Sequence, residues 1–130
     1  MSEKNKALLL TGGAIALAAI FVMFGAGKFV DPVKWIGKFE AWGLPVWFVS
    51  VSGALELAGA VGLLIPVLRG PAGIALAMFM VGAVATHVVH AEIVMIFVAS
   101  AIMVGSALVG WNRLSETKDF LLGRSTETAT

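Results

Sequence analysis

The sequence predicts an all-α fold, a membrane-spanning four-helix bundle with a short interfacial amphipathic helix between helices 1 and 2. The mean hydropathy is +0.97, and 59% of the 130 residues are hydrophobic while 13% are charged, against about 25% charged in soluble domains. Four apolar stretches each have about the 20 residues that a helix needs to cross the hydrocarbon core. The breaks between them are short and polar, and the length suits one domain, assigned to residues 1–111.

The first apolar stretch, "ALLLTGGAIALAAIFVMFGAG", predicts a span over about residues 7–27. The "ALA" at residues 16–18 resembles a signal-peptide cleavage site, so a cleaved leader is the alternative. The apolar run continues through Phe21, Val22 and Phe24 with no polar region after the "ALA". This continuation favours a retained helix.

A short amphipathic helix is predicted over about residues 32–42, because Asp31 followed by Pro32 is typical of a helix start. Trp35, Phe39 and Trp42 fall at positions i, i+4 and i+7, so they share one face. This face suits a helix in the membrane interface or a cap packed on the bundle, and the two interpretations are compatible. The predicted interface anchors are Trp35, Phe39, Trp42, Trp47 and Trp111.

The remaining spans are predicted at about residues 44–67, 71–90 and 92–111. Pro66 should bend or end the first of these helices. The "RGP" at 69–71 predicts a tight turn, with Pro71 beginning the next helix. Short turns make successive spans antiparallel neighbours. Residues 112–130 are predicted to be a polar cytoplasmic tail.

The placement of basic residues predicts the orientation of the bundle. Four crossings put both termini and the 69–71 turn on one side, with six basic residues: Lys4, Lys6, Arg69, Arg113, Lys118 and Arg124. The other side has three: Lys28, Lys34 and Lys38. The positive-inside rule therefore predicts a multi-pass protein of the cell membrane with both termini in the cytoplasm.

Composition excludes several kinds of chemistry. The chain has no cysteine, which excludes disulfides, iron–sulfur ligation and thiol redox chemistry within it. The formal charge of +1 gives no case for a nucleic acid partner. His87 and His90 lie on one side of one helix, so they cannot ligate opposite faces of a haem. No metal site is predicted, and the expected partners are the lipid bilayer and other membrane subunits or a second copy of the chain.

The candidate site is a set of polar residues within or at the edge of the membrane. Glu56 lies about 18 Å along its helix, where a charge costs about 3 kcal/mol or more, so it should face the bundle. An axial offset of about 10 Å separates it from His87, too far for a direct pair in untilted helices. We therefore predict a polar seam with Glu56 and His87 as the catalytic candidates, and an outer rim of His90 and Glu92. The seam comprises Lys28, Ser52, Glu56, Thr86, His87 and Ser100. The alternative is that Glu56 only fixes helix register by hydrogen bonding.

Four stretches, "FGAGKF", "GLP", "SGALELAGAVGLLIP" and "MVGAVATHVV", together resemble the DoxX-like family of small four-helix membrane proteins. The resemblance covers about residues 10–110. The residues that correspond to the family pattern are Lys28, Glu56 and His87, with Pro45, Gly59 and Thr86 around them.

The resemblance implies a membrane role connected with respiratory or redox chemistry. Some relatives are small subunits of quinone-linked oxidoreductases, and others belong to oxidative-stress assemblies or act as assembly factors. Two hypotheses follow. The first is an accessory subunit or assembly factor of a redox complex, with any quinone supplied through partners. The second is a quinone-linked oxidoreductase subunit in which Glu56 and His87 carry protons, and it predicts an open, partly apolar pocket that reaches Glu56.

Overall fold

The computed structural model describes residues 1–123, which form five α-helices and no strand. Four of the helices are long and apolar enough to cross a membrane, which confirms the predicted all-α bundle with four spans. The short helix between the first two spans is also present. The helices are α1 (Glu3–Val30), α2 (Pro32–Ala41), α3 (Trp47–Leu64), α4 (Pro66–Val89) and α5 (Ile93–Leu121).

The turn between α3 and α4 lies at Ile65 and not at "RGP", so the prediction of a turn at 69–71 is wrong, whereas the prediction that the helix bends or ends at Pro66 is confirmed. α3 ends at Leu64, Ile65 is extended (φ −97°, ψ 115°) and Pro66 begins α4. Pro66 suits this position because its ring fixes a helical φ and it has no N–H to leave unbonded. Pro71 consequently lies inside α4, where it cannot donate to the carbonyl of Val67. The hydroxyl of Thr117 on α5 donates to that carbonyl instead, at 2.5 Å.

Arg69 does not lie in a turn but in the first part of α4, where it is buried. Its Nε donates to the carbonyl of Leu63 at 2.7 Å, and its guanidinium approaches the Leu64 carbonyl at 3.5 Å. These are the last carbonyls of α3, which have no partner within their own helix. A cation at a helix C-terminus also interacts favourably with the helix dipole, so Arg69 closes the α3–α4 turn.

The last helix continues from residue 111, the predicted end of the span, to Leu121. Arg113 in this continuation donates to the Ala7 carbonyl and the Thr11 hydroxyl, both at 3.0 Å, and pairs with Glu116 at 2.8 Å. These contacts attach the end of α5 to the start of α1. The rest of the predicted tail, residues 124–130, lies outside the described residues.

The bundle consists of two helix pairs, α1 with α3 and α4 with α5. In the second pair the backbones touch: a Cβ on Gly73 would lie 2.7 Å from the Cα of Gly110. In the first pair a Cβ on Gly25 would lie 2.9 Å from the carbonyl oxygen of Gly53. Small residues permit such close approach between helices in lipid. The two pairs are therefore held together internally by backbone contact.

The two pairs meet near the start of α1 and the end of α5 and enclose a cavity at the other end. We call the end with α2 and the α4–α5 turn the α2 end, and the opposite end the terminal end. Near the terminal end a Cβ on Gly62 of α3 would lie 2.7 Å from the Ala72 side chain of α4, and Arg113 joins α5 to α1. The buried apolar core includes Leu17, Phe21 and Leu63. At the α2 end, helix α2 packs across the gap between the pairs.

Candidate functional site

The main cavity has a volume of about 450 Å³ and is lined by residues from all five helices. This volume is within the range of ligand pockets. Met80, Ala83, Met95 and Val98 form apolar walls on α4 and α5. Seven aromatic residues surround it: Phe21, Phe24, Trp35, Phe39, Trp42, Phe48 and Phe79. Seven polar residues also line it: Lys28, Lys38, Ser52, Glu56, Thr86, His87 and Glu92.

The centre of the site is an ion pair between Lys28 of α1 and Glu56 of α3. The Lys28 Nζ lies 2.5 Å from Glu56 Oε1, and the two residues are 6% and 4% exposed. The glycine contact between Gly25 and Gly53 brings α1 and α3 close enough for this pair. Two charges buried together satisfy each other, whereas either alone would be strongly unfavourable.

The predicted seam includes Lys28, but the sequence does not pair it with Glu56. Axial positions along a helix are those of the Cα atoms, but a lysine side chain extends well beyond its own backbone. In the structure Lys28 is within α1, which continues to Val30, and its side chain reaches inward to Glu56. The usable signal was that a buried acidic side chain needs a donor, and Lys28 is the basic residue in the second half of α1.

The predicted seam is partly assembled. Ser52 and Thr86 both line the cavity, but their hydroxyls donate to carbonyls of their own helices, Val49 at 3.0 Å and Gly82 at 2.9 Å. Ser100 is half-buried and does not line the cavity. The structure therefore brings five of the six seam residues around one space, but the hydroxyls do not form a continuous chain from Glu56 to His87.

A second polar cluster closes the α2 end of the cavity. Glu92 Oε1 accepts a hydrogen bond from Trp42 Nε1 at 2.9 Å and lies 3.2 Å from His87 Nδ1. The edge of the Trp42 ring also contacts the imidazole of His87, with 5.5 Å between centroids. Glu92 thus lines the cavity and joins α2 to the α4–α5 turn. His90 is exposed, and its Nδ1 donates to the Thr86 carbonyl at 2.8 Å.

The backbone of the α4–α5 turn places Glu92 beside His87. Ala91 has φ 55°, and its N–H donates to the Val88 carbonyl at 3.1 Å. The N–H of Glu92 donates to the His87 carbonyl at 3.0 Å. This is the Schellman arrangement that ends many helices, in which the left-handed residue is usually glycine.

Replacing Ala91 with Gly should stabilise this turn. A left-handed alanine costs roughly 1–2 kcal/mol, and glycine removes most of that strain while adding some entropy to the unfolded chain. We expect Ala91→Gly to raise the free energy of unfolding by about 0.5–1 kcal/mol, measured by SDS titration in mixed micelles. A loss of stability would show that the left-handed turn does not form.

The predicted interface anchors fall into two groups. Trp47 and Trp111 are 65% and 74% exposed, as side chains in contact with lipid or its headgroups would be. Phe39 is instead buried, with ring centroids 5.6 Å from Trp42 and 6.1 Å from Phe48. Its prediction as an anchor is corrected, because this face of α2 packs on the bundle. Trp35 and Trp42 are half-buried and line the cavity.

Four apolar spans, two close-packed pairs and a cavity that ends on a buried ion pair define a multi-pass integral membrane protein with an internal amphipathic pocket. The sequence pattern of the DoxX-like family matches residues 13–109, so the chain belongs to the DoxX-like family. This match confirms the resemblance found in the sequence, and its range contains Lys28, Glu56 and His87. No curated protein sequence and no solved structure matches the chain.

Proposed function

We propose that the protein is an accessory subunit of a membrane redox or respiratory complex and that it binds a quinone in the cavity. The observation that carries the proposal is the cavity itself. It has about 450 Å³, its walls are aromatic and apolar, and it reaches the buried Lys28–Glu56 pair. The quinone hypothesis requires such a pocket, whereas an accessory or assembly role alone does not.

The arrangement of the pocket suits a flat ring that carries carbonyl oxygens. Aromatic side chains can stack on or pack edge-to-face with the ring. The Lys28 ammonium can donate to one carbonyl oxygen, which a charged donor holds more strongly than a neutral one. Reduction of a quinone to a quinol takes two electrons and two protons. In this proposal the Lys28–Glu56 pair delivers one proton to the oxygen that Lys28 contacts, and His87 with Glu92 carries the second proton at the α2 end.

The electrons would come from a partner protein, since a chain without cysteine supplies no thiol or iron–sulfur group. Under the orientation predicted by the basic residues, both termini face the cytoplasm and the α2 end faces outward in the cell membrane. The cavity would then serve quinone chemistry at the outer half of the bilayer. Exposed apolar side chains along α1 and α5, such as Met23 and Phe97, are available to lipid or to the partner.

A matched pair of variants tests the cavity. Ala83 lines it, whereas Ala85, two residues further along α4, is exposed and does not. We expect Ala83→Phe to lower the affinity for a short-chain quinone at least about ten-fold, because the new ring occupies the site. Ala85→Phe should leave the affinity unchanged. The measurement is quenching of tryptophan fluorescence by the quinone, since Trp35 and Trp42 line the cavity.

Two results would count against quinone binding. Equal affinity of Ala83→Phe and the parent would place the quinone outside the cavity. If the parent binds no quinone but still copurifies in mild detergent with a larger membrane complex, an accessory or assembly role without a ligand is the better interpretation.

A further inference from the structure

Three lysines gather around one indole ring beside the cavity. The Nζ atoms of Lys28, Lys38 and Lys34 lie 4.4, 4.8 and 5.8 Å from the ring centroid of Trp35. Since the whole chain has nine basic residues, a third of them surround a single side chain. Such a concentration of positive charge on one short helix and its neighbour is unfavourable unless something neutralises it.

Only one of the three ammonium groups is neutralised within residues 1–123. Lys28 pairs with Glu56, whereas Lys34 and Lys38 have no carboxylate oxygen within 4 Å in that part of the chain. The nearby Asp31 carboxylate accepts the backbone N–H of Lys34 and so caps α2. Lys34 and Lys38 are four residues apart on α2, a spacing at which like charges destabilise a helix. The contacts with the Trp35 ring offset part of this repulsion. Glu40, the acidic residue of α2, forms no ion pair with either lysine, so both ammonium groups stay without a close counter-charge.

The surface next to these charges is apolar. Phe29, Val30 and Val33, at the corner between α1 and α2, are 50%, 83% and 80% exposed. A free anion would contact the two ammonium groups but not these apolar side chains. An anion that carries acyl chains can contact both the ammonium groups and the apolar side chains. Amphipathic helices with lysines beside apolar side chains bind anionic lipids in this way.

We propose that Lys34 and Lys38, which both contact Trp35, bind the phosphate group of an anionic membrane lipid whose acyl chains lie along Phe29, Val30 and Val33. The bound lipid neutralises the two charges and holds α2, which covers the α2 end of the cavity, at the membrane surface. Lys38 also lines the cavity whereas Lys34 does not, and the lipid site needs no quinone. The proposal is therefore independent of the proposed function.

The test is the affinity of the purified protein for phosphatidylglycerol and for phosphatidylcholine, measured by native mass spectrometry from mild detergent. Each lysine near an anionic surface changes affinity about five-fold. We expect Lys34→Gln/Lys38→Gln to weaken phosphatidylglycerol binding roughly 25-fold and to leave phosphatidylcholine binding unchanged. Lys34→Arg/Lys38→Arg, which keeps the charges, should bind as the parent does.

The matched control is Lys4→Gln/Lys6→Gln, which removes the same charge from exposed positions at the terminal end and should leave phosphatidylglycerol binding unchanged. Equal binding of the two lipids by the parent, or an equal loss in both double variants, would overturn the proposal. Inorganic phosphate that displaces the lipid at equal concentration would assign the lysines to a free anion and overturn it too. Ala83→Phe, which fills the cavity, should retain phosphatidylglycerol binding, so the failure of one proposal is distinguishable from the failure of the other.

Discussion

Replacing Glu56 with Gln is expected to lower the free energy of unfolding by about 3–5 kcal/mol, because it leaves the buried Lys28 ammonium without a counter-charge. The two groups now lie 2.5 Å apart and almost fully buried. Glutamine keeps the size of the side chain, so the loss reports the charge and not a cavity. SDS titration in mixed micelles, followed by tryptophan fluorescence, measures the change. A loss below about 1 kcal/mol would mean that the pair is open to water and contributes as little as a surface ion pair.

The double variant Lys28→Met/Glu56→Leu separates the structural role of the pair from its proposed role in quinone binding. Replacing both partners of a buried ion pair by apolar residues of similar size is often neutral for stability. We expect the double variant to unfold within about 1 kcal/mol of the parent. Its quinone affinity should still fall about ten-fold, because the charged donor to the carbonyl is gone.

The two readouts give distinct results. Restored stability with lost quinone affinity supports a site that acts on a ligand. Restored stability with full quinone affinity would show that the pair only fixes the position of α1 against α3. The second result corresponds to the alternative stated for Glu56 from the sequence, a residue that sets helix register.

The fold could be predicted from the sequence because membrane spans depend on length and hydropathy, which are local properties. The helix boundaries could not be predicted at the places where local signals compete. Both Pro66 and Pro71 fit the first turn of a helix. In the structure α4 begins at Pro66, and the Val67 carbonyl that Pro71 leaves free is bonded by the hydroxyl of Thr117, fifty residues further along the chain, a contact that no local signal indicates. The continuation of α5 beyond residue 111 likewise depends on the contacts of Arg113 with α1.

The candidate site, like the fold, could be predicted from the sequence only in part. The sequence predicts that Glu56 faces the interior of the bundle, since an intramembrane charge is costly wherever it lies. It does not show which donor meets it, because the approach of Lys28 depends on the contact between Gly25 and Gly53. The link from Glu92 to Trp42 depends on how α2 lies across the bundle, and no spacing within a single helix encodes that.

A comparable loss of stability is expected at the α4–α5 interface, far from the cavity, when Gly73 is replaced with Ala. A Cβ there would lie 2.7 Å from the Cα and N of Gly110 and from the carbonyl oxygen of Ser106. These are backbone atoms of α5, so no side chain can rotate away and the helices must separate. Such overpacking costs about 3 kcal/mol, measured in the same SDS titration.

Gly12→Ala is the matched control for this change. A Cβ on Gly12 meets nothing within 4 Å, so the same methyl group should add only its helix propensity, about 1 kcal/mol or less in favour of folding. Opposite signs for the two substitutions would assign the effect of Gly73→Ala to the contact with Gly110. If Gly73→Ala is as well tolerated as Gly12→Ala, the α4 and α5 backbones do not touch there, and the two helices that form one wall of the cavity lie further apart than this contact requires.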